Sequence, residues 1–145
     1  MKRIFAALAV LLLTTGASAP ATRGTVLVVG ASSGVGLEIA KQLAAKGEDV
    51  TAFVRPTSKR EGLTGSPVKF AVGDATKIED VRRVLADTKV RAIVSTLGGR
   101  PNETPRPDFI GTQTFVDAAK AAGATRMLLV TVIGAGTAPM SFQRP

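Results

Sequence analysis

A run of apolar and β-branched residues, Thr25-Val26-Leu27-Val28-Val29, passes directly into Gly30-Ala31-Ser32-Ser33-Gly34-Val35-Gly36 and then into a helical pattern. No other stretch constrains the fold as much. A strand without polar interruption is buried on both faces, the condition of an inner strand in a parallel sheet. From Gly34 to Lys46, Val35, Ile39 and Leu43 recur at helical spacing with Leu37, Ala40 and Ala44 beside them, and Gly47 follows as a C-terminal cap. Glycines in the intervening loop let the chain turn sharply at Gly30, admit an anion close to the backbone near Gly34, and bring helix and strand together at Gly36. The unpaired N–H groups that open the helix, with their partial positive charge, suit a pyrophosphate. The juncture therefore predicts dinucleotide binding. The loop lacks a Gly-Lys-Ser/Thr ending, which disfavours a nucleoside triphosphatase.

The alternation continues downstream. Val50–Val54 and Val68–Val72 read as strands, with a short helix or loop over Pro56–Pro67 between them. Thr76 with Glu79 reads as a capping box, opening a helix whose Ile78, Val81, Val84 and Leu85 share a face. Val90–Leu97 is a fourth strand. A proline-rich segment, Arg100–Pro107, delays the next helix until about Asp108, after which Phe109, Thr112, Phe115, Val116 and Ala119 repeat at helical spacing up to Gly123. Arg126–Ile133 is a fifth strand. Strands alternating with helices over 145 residues predict one α/β domain spanning residues 22–136, a doubly wound parallel Rossmann sheet of about five strands in the order 3-2-1-4-5. Residues 137–145 read as an irregular tail.

Composition removes several chemistries. The chain has no cysteine, histidine, tyrosine or tryptophan, which excludes a disulfide scaffold, a thiol nucleophile, thiolate metal sites and imidazole catalysis. The formal charge is +8, yet the basic residues are scattered rather than gathered into a stripe with stacking aromatics, so no nucleic-acid partner is expected. Lys2 and Arg3 precede an apolar run from Ile4 to Leu13 and then small residues, the order of a signal peptide over residues 1–21, either cleaved after Ala21 or kept as an uncleaved anchor. The run is too short for a stable membrane span. Export, to the periplasm for instance, is expected if that segment is used, and a cytoplasmic location otherwise.

In an open parallel sheet the ligand lies beyond the carboxyl ends of the strands, where strand order reverses. Arg55 follows the second strand at the position where a carboxylate would hold the ribose hydroxyls of NAD. Its fork of donors suits a 2′-phosphate instead, so NADP is expected over NAD, with Lys59 and Arg60 as further charge nearby. Asp74, after the third strand, is placed either to accept from an adenine amino group or to organise its own turn. Ser95-Thr96-Leu97-Gly98-Gly99 ends the fourth strand with small residues that would pass beside the ribose and nicotinamide. Thr131, with Gly134-Ala135-Gly136 after it, closes the same edge; its hydroxyl is the candidate partner for substrate or nicotinamide, and space-filling in a strand is its other reading. Phe115 and Met127 read as core.

Thr25 to Gly36, Val54-Arg55, Gly73-Asp74-Ala75, Ser95 to Gly99, and Asp108-Phe109-Ile110-Gly111-Thr112 leading to Asp117–Gly123 together resemble the NAD(P)-binding half of atypical short-chain dehydrogenase/reductases, closest to the NmrA-like and flavin-reductase-like group. The resemblance spans Thr25 to about Gly136. It implies that Gly30, Ser32, Ser33, Gly34, Val35 and Gly36 hold phosphates, Arg55 the 2′-phosphate, Asp74 and Ala75 the adenine, and Thr96, Leu97 and Gly98 the nicotinamide-side ribose. It implies an NADPH-dependent reductase acting on a small electrophile such as a quinone or flavin, with Thr131 where family enzymes often carry a serine. Two departures favour a non-catalytic NADP(H) sensor or a shortened member as the alternative. The sequence ends at Pro145, where family reductases continue into a substrate-binding segment, and the Tyr-x-x-x-Lys pair of the main branch is missing because there is no tyrosine. A sugar-nucleotide epimerase fragment is a weaker reading for the same reason. Open sheet edges are expected to leave the chain marginal or homodimeric.

Overall fold

The computed structural model describes residues 24–99, 104, 106–124 and 126–131. The leader segment, the Gly134-Ala135-Gly136 stretch and the tail lie outside the described residues. Strands β1 (Thr25–Val29), β2 (Val50–Val54), β3 (Lys69–Val72), β4 (Val90–Ser95) and β5 (Met127–Leu129) form one parallel sheet in the order β3-β2-β1-β4-β5. Helices α1 (Gly34–Ala45), α2 (Ile78–Asp87) and α3 (Thr112–Ala121) flank it. This is the expected Rossmann-like topology.

Every residue of β1 and β2 is buried, as uninterrupted apolar runs require. The two-residue period of a strand sends Val26 and Val28 into one core with Ala40 and Ala44 of α1, and Leu27 and Val29 into another with Val81, Val84 and Phe115 of α2 and α3. Phe115 meets the ring of Phe53 edge to face at 5.1 Å, and this pair anchors the second core. Helix α1 ends in a Schellman motif: the Gly47 N–H donates to Ala44 O, the Glu48 N–H donates to Leu43 O, and Gly47 takes φ +79°. At the amino-terminal ends of the strands, polar ties fix neighbouring elements. Thr25 Oγ1 and Lys69 Nζ both donate to the Asp49 carboxylate, and Arg91 pairs with Glu48.

Three expectations shift and one holds. Helix α2 starts two residues after Thr76, with Lys77 as its N-cap and no capping side chain, because the Thr76 hydroxyl and N–H both donate to Asp74 Oδ1. The predicted capping box is therefore not formed. Between β2 and β3 the short helix or loop expected over Pro56–Pro67 is a loop with one 3-10 turn, Glu61–Leu63. Strand β5 is shorter than the apolar run that suggested it. Ahead of α3 the chain makes a π-helical turn, Pro107–Gly111, whose wider period rotates Phe109 out of the core to 49% exposure while Phe115 stays buried.

Candidate functional site

The loops after β1 to β5 surround one cavity of about 1100 Å³. Gly30, Ser32, Ser33, Gly34, Val35 and Gly36 line it, as do Arg55, Asp74, Ala75, Thr96, Leu97, Gly98 and Thr131. These thirteen candidate residues are thus brought to one place. Ser58, Thr76, Gly99, Thr104, Arg106, Pro107, Asp108 and Phe109 join them.

The glycine loop is shaped by Thr96. A Cβ on Gly36 would stand 2.4 Å from both Gly30 O and Thr96 Oγ1, and one on Gly30 would stand 2.8 Å from the same hydroxyl. Thr96 is itself pinned, donating its N–H and its hydroxyl to Val29 O at 2.9 and 3.0 Å. That bond ties the ends of β1 and β4 together and commits the hydroxyl to the protein, leaving the Thr96 backbone to form the wall. Gly34 differs: it takes φ +56° and a Cβ there would meet nothing within 4 Å, so the space it leaves open faces the cavity rather than the fold. Ser33 is the N-cap of α1 but makes no side-chain cap bond, and the first turn carries no acidic residue. The amides that open α1 are therefore not claimed by a capping side chain, as an anion site requires.

On the β2–β3 bank, Arg55 begins a turn in which the Ser58 N–H donates to Arg55 O and the Arg55 N–H donates to Ser58 Oγ. Pro56 sets the second residue of that turn, and this signal in the sequence would have found Ser58. Lys59 and Arg60 do not line the cavity; Arg60 instead stacks its guanidinium 5.5 Å over the Phe70 ring. Asp74 organises its own turn through Oδ1, and its N–H donates to the Asp80 carboxylate. Accepting that N–H, with Arg83 beside it, holds the Asp80 carboxyl below the usual carboxylate range.

On the β4–β5 bank, Arg106 donates from Nε and Nη2 to the two oxygens of Asp108. That hydrogen-bonded guanidinium keeps the Asp108 carboxyl below its ordinary value, against the opposing effect of burial. Thr131 lies just past β5, exposed on the cavity wall, so the space-filling alternative does not hold. Phe109, Leu129 and Val130 add apolar surface beside it. Among the described residues there is no cluster of potential metal ligands, and no helix is long and apolar enough to cross a membrane.

Residues 30–145 match the model of a family described as NAD(P)H-binding. The chain belongs to the NAD(P)H-binding family. This family member is 31% identical over 115 residues to sterol demethylase protein B of Methylococcus capsulatus, covering 77% of the chain and 35% of that relative. It is 28% identical over 132 residues to the chloroplastic divinyl chlorophyllide a 8-vinyl-reductase of Oryza sativa subsp. indica, covering 83% of the chain and 33% of the relative. Among solved structures it resembles ChuY, an anaerobilin reductase from Escherichia coli O157:H7, with a TM-score of 0.61 and 29% identity over 77% of the chain and 52% of ChuY. The NAD(P)H-binding chain thus spans about a third of the curated relatives it matches.

Proposed function

We propose that this NAD(P)H-binding chain prefers NADP(H) and serves a reductase that passes a hydride to a small, apolar-ringed electrophile. The observation that carries the reading is the convergence on one cavity of a glycine loop with uncapped helix amides and, at the end of the adjacent strand, Arg55 in place of a carboxylate. A dinucleotide fits the arrangement. The Gly34 opening leaves room for a phosphate against the backbone, and the α1 amides would donate to it. Arg55, with the Ser58 hydroxyl folded back beside it, would hold a 2′-phosphate. Ala75 and Asp74 would flank the adenine, and the Thr96–Gly98 backbone would carry the nicotinamide-side ribose. Bound there, the dinucleotide would supply a hydride. Thr131 would hold the acceptor's oxygen through its hydroxyl, while Phe109 and Leu129 would keep water from an apolar ring. The divinyl chlorophyllide a 8-vinyl-reductase and the anaerobilin reductase among the similar proteins support a reductase.

The test is calorimetric titration with NADPH and NADH, repeated on Arg55→Asp. NADPH should bind at least tenfold more tightly than NADH, and the substitution should erase the difference, about 1.4 kcal/mol or more. Equal affinities, or a preference that survives the substitution, would refute the NADP assignment. A second reading, a sensor that binds NADP(H) without turnover, draws on the absence of tyrosine and histidine from this chain. It predicts binding with no NADPH oxidation across a panel of quinones and flavins, where the reductase reading predicts oxidation that Thr131→Val abolishes without loss of binding.

A further inference from the structure

The Arg106–Asp108 pair has no place in the reading above, although it stands in the cavity wall. It is more sheltered than an ordinary surface pair, with side-chain exposures of 11% and 26%. Its partners are two residues apart in sequence, so it closes no long loop and contributes little to joining distant elements. What it touches is informative. A Cβ on Gly99 would stand 2.6 Å from Asp108 Oδ1 and 3.3 Å from Pro107 Cδ, so the carboxylate rests against the backbone that ends β4. Four residues on, a Cβ on Gly111 would stand 2.8 Å from Leu97 Cδ1 and 3.1 Å from Ala75 Cβ. The turn Pro107–Gly111 therefore lies across the Leu97–Gly99 segment, with Asp108 as its inner contact and Arg106 holding Asp108 in one rotamer by two hydrogen bonds.

We infer that Arg106 and Asp108 are positioning residues that clamp the Leu97–Gly99 backbone in the place where it can carry the nicotinamide-side half of the cofactor. The inference rests on the cofactor reading proposed above. Because each charge satisfies the other, neither is offered to the ligand as a counter-ion, and their effect passes through the backbone they hold. The turn reaches the adenine wall only at Gly111, which packs on Ala75, whereas Asp108 itself rests on Gly99, so the adenosine half, on the far side of β1 against Arg55 and Asp74, should feel the pair little.

The experiment compares NADP+ with 2′,5′-ADP, which carries the adenosine half alone, on the full chain and on Asp108→Asn, Arg106→Gln and the double variant. Both single variants should weaken NADP+ by about tenfold while leaving 2′,5′-ADP within about twofold, and the double variant should lose no more than either single one. The fluorescence gain of bound NADPH, which reports an immobilised nicotinamide, should fall in all three. A purely structural role would lower both ligands together or neither, and either result overturns the clamp. So would opposite effects of the two single variants, which would mean that Arg106 meets the ligand's anion directly. If one variant fails to fold, the other single variant still decides the matter by the same ratio. If the unaltered chain binds neither ligand, the cofactor reading itself fails and the clamp with it. If it binds both while the variants leave their ratio unchanged, only the clamp fails.

Discussion

Gly36→Ala is the most demanding test of how the fold builds its glycine loop. The added methyl carbon would stand 2.4 Å from two oxygens, Gly30 O and Thr96 Oγ1, where ordinary contact begins roughly 1 Å farther out. Neither oxygen can retreat cheaply. Gly30 is at the turn itself with φ +84°, and Thr96 is held to Val29 O by two hydrogen bonds. Relief must come from α1 moving away from the sheet by about that distance, a form of overpacking that costs about 1–3 kcal/mol. The helix start carries the amides proposed to hold the pyrophosphate, and drawing them about 1 Å away forfeits hydrogen bonds to a charged group worth about 1.5–3 kcal/mol each, up to about 100-fold in affinity. Scanning calorimetry should show a lower melting temperature, by about 4 °C for each kcal/mol lost. Titration with NADP+ should show affinity falling by about 100-fold. Adding Thr96→Ala should not restore either, because the Gly30 carbonyl still blocks the methyl. Gly34→Ala supplies the contrast: with open space around the new carbon and only a positive φ to pay for, it should cost about 1 kcal/mol of stability. A Gly36→Ala protein that kept both its melting temperature and its affinity would refute the account of the loop.

The fold and its charges carry further predictions. Phe115→Ala should destabilise by about 3–5 kcal/mol, since the ring is fully buried against Phe53, and a urea midpoint close to that of the unaltered protein would contradict the placement of the second core. Thr96→Val should cost only about 1 kcal/mol, because Val29 O keeps the Thr96 N–H when the hydroxyl is lost; a loss of several kcal/mol would show that the hydroxyl does more than pin β4 to β1. Asp49, through its bond from Lys69, and Asp108, through its bonds from Arg106, have carboxyls held below the ordinary value of 3.8. A carboxyl depressed in the folded state adds stability that is complete above its unfolded value and lost as pH falls through the folded one. With no histidine or cysteine to titrate, the urea midpoint should stay level from about pH 5 to about pH 7 and drop below about pH 4. Asp49→Asn and Asp108→Asn should each make that acid limb shallower, and a midpoint that moves between pH 5 and 7 would count against this assignment of the titrating groups.

What was legible in the sequence was what packing alone dictates. Thr25–Val29 and Val50–Val54 are inner strands, whose burial on both faces leaves room for apolar and β-branched residues and for no charged one, so their limits stand out unaided. Strand order followed from crossover handedness once the elements were in place. What escaped was set by competition among local polar groups. Thr76 and Glu79 have the spacing of a capping box, but Asp74 lies two residues before Thr76 and claims its hydroxyl first. Phe109 keeps helical spacing with Thr112 and Phe115 only if the turn before α3 is an α-turn, and the π-helical turn there rotates it toward the cavity. Arg106 and Asp108 sit in a proline-rich stretch whose sequence says only that a helix is delayed. Their pairing depends on how Pro107 and Asp108 lie against Gly99, a contact between residues that no periodicity connects.

The two banks of the cavity differ in a way that would orient an elongated ligand. Beside β2, an exposed arginine and two hydroxyls, Ser58 and Thr76, line the wall. Beside β5, the charge of Arg106 is cancelled by Asp108, and Phe109, Leu129 and Val130 supply apolar surface. The α1 amides lie between, at the end of the central strand. A molecule with a phosphorylated head, a charged middle and a flat apolar end gains from all three only when its head lies over β2. Reversed, it would strand its phosphate against an apolar wall and desolvate it without a partner, a cost of several kcal/mol. The direction in which the proposed dinucleotide lies therefore follows from what lines each bank, and the Arg106–Asp108 pairing beside β5 matters as much as Arg55 and the hydroxyls opposite.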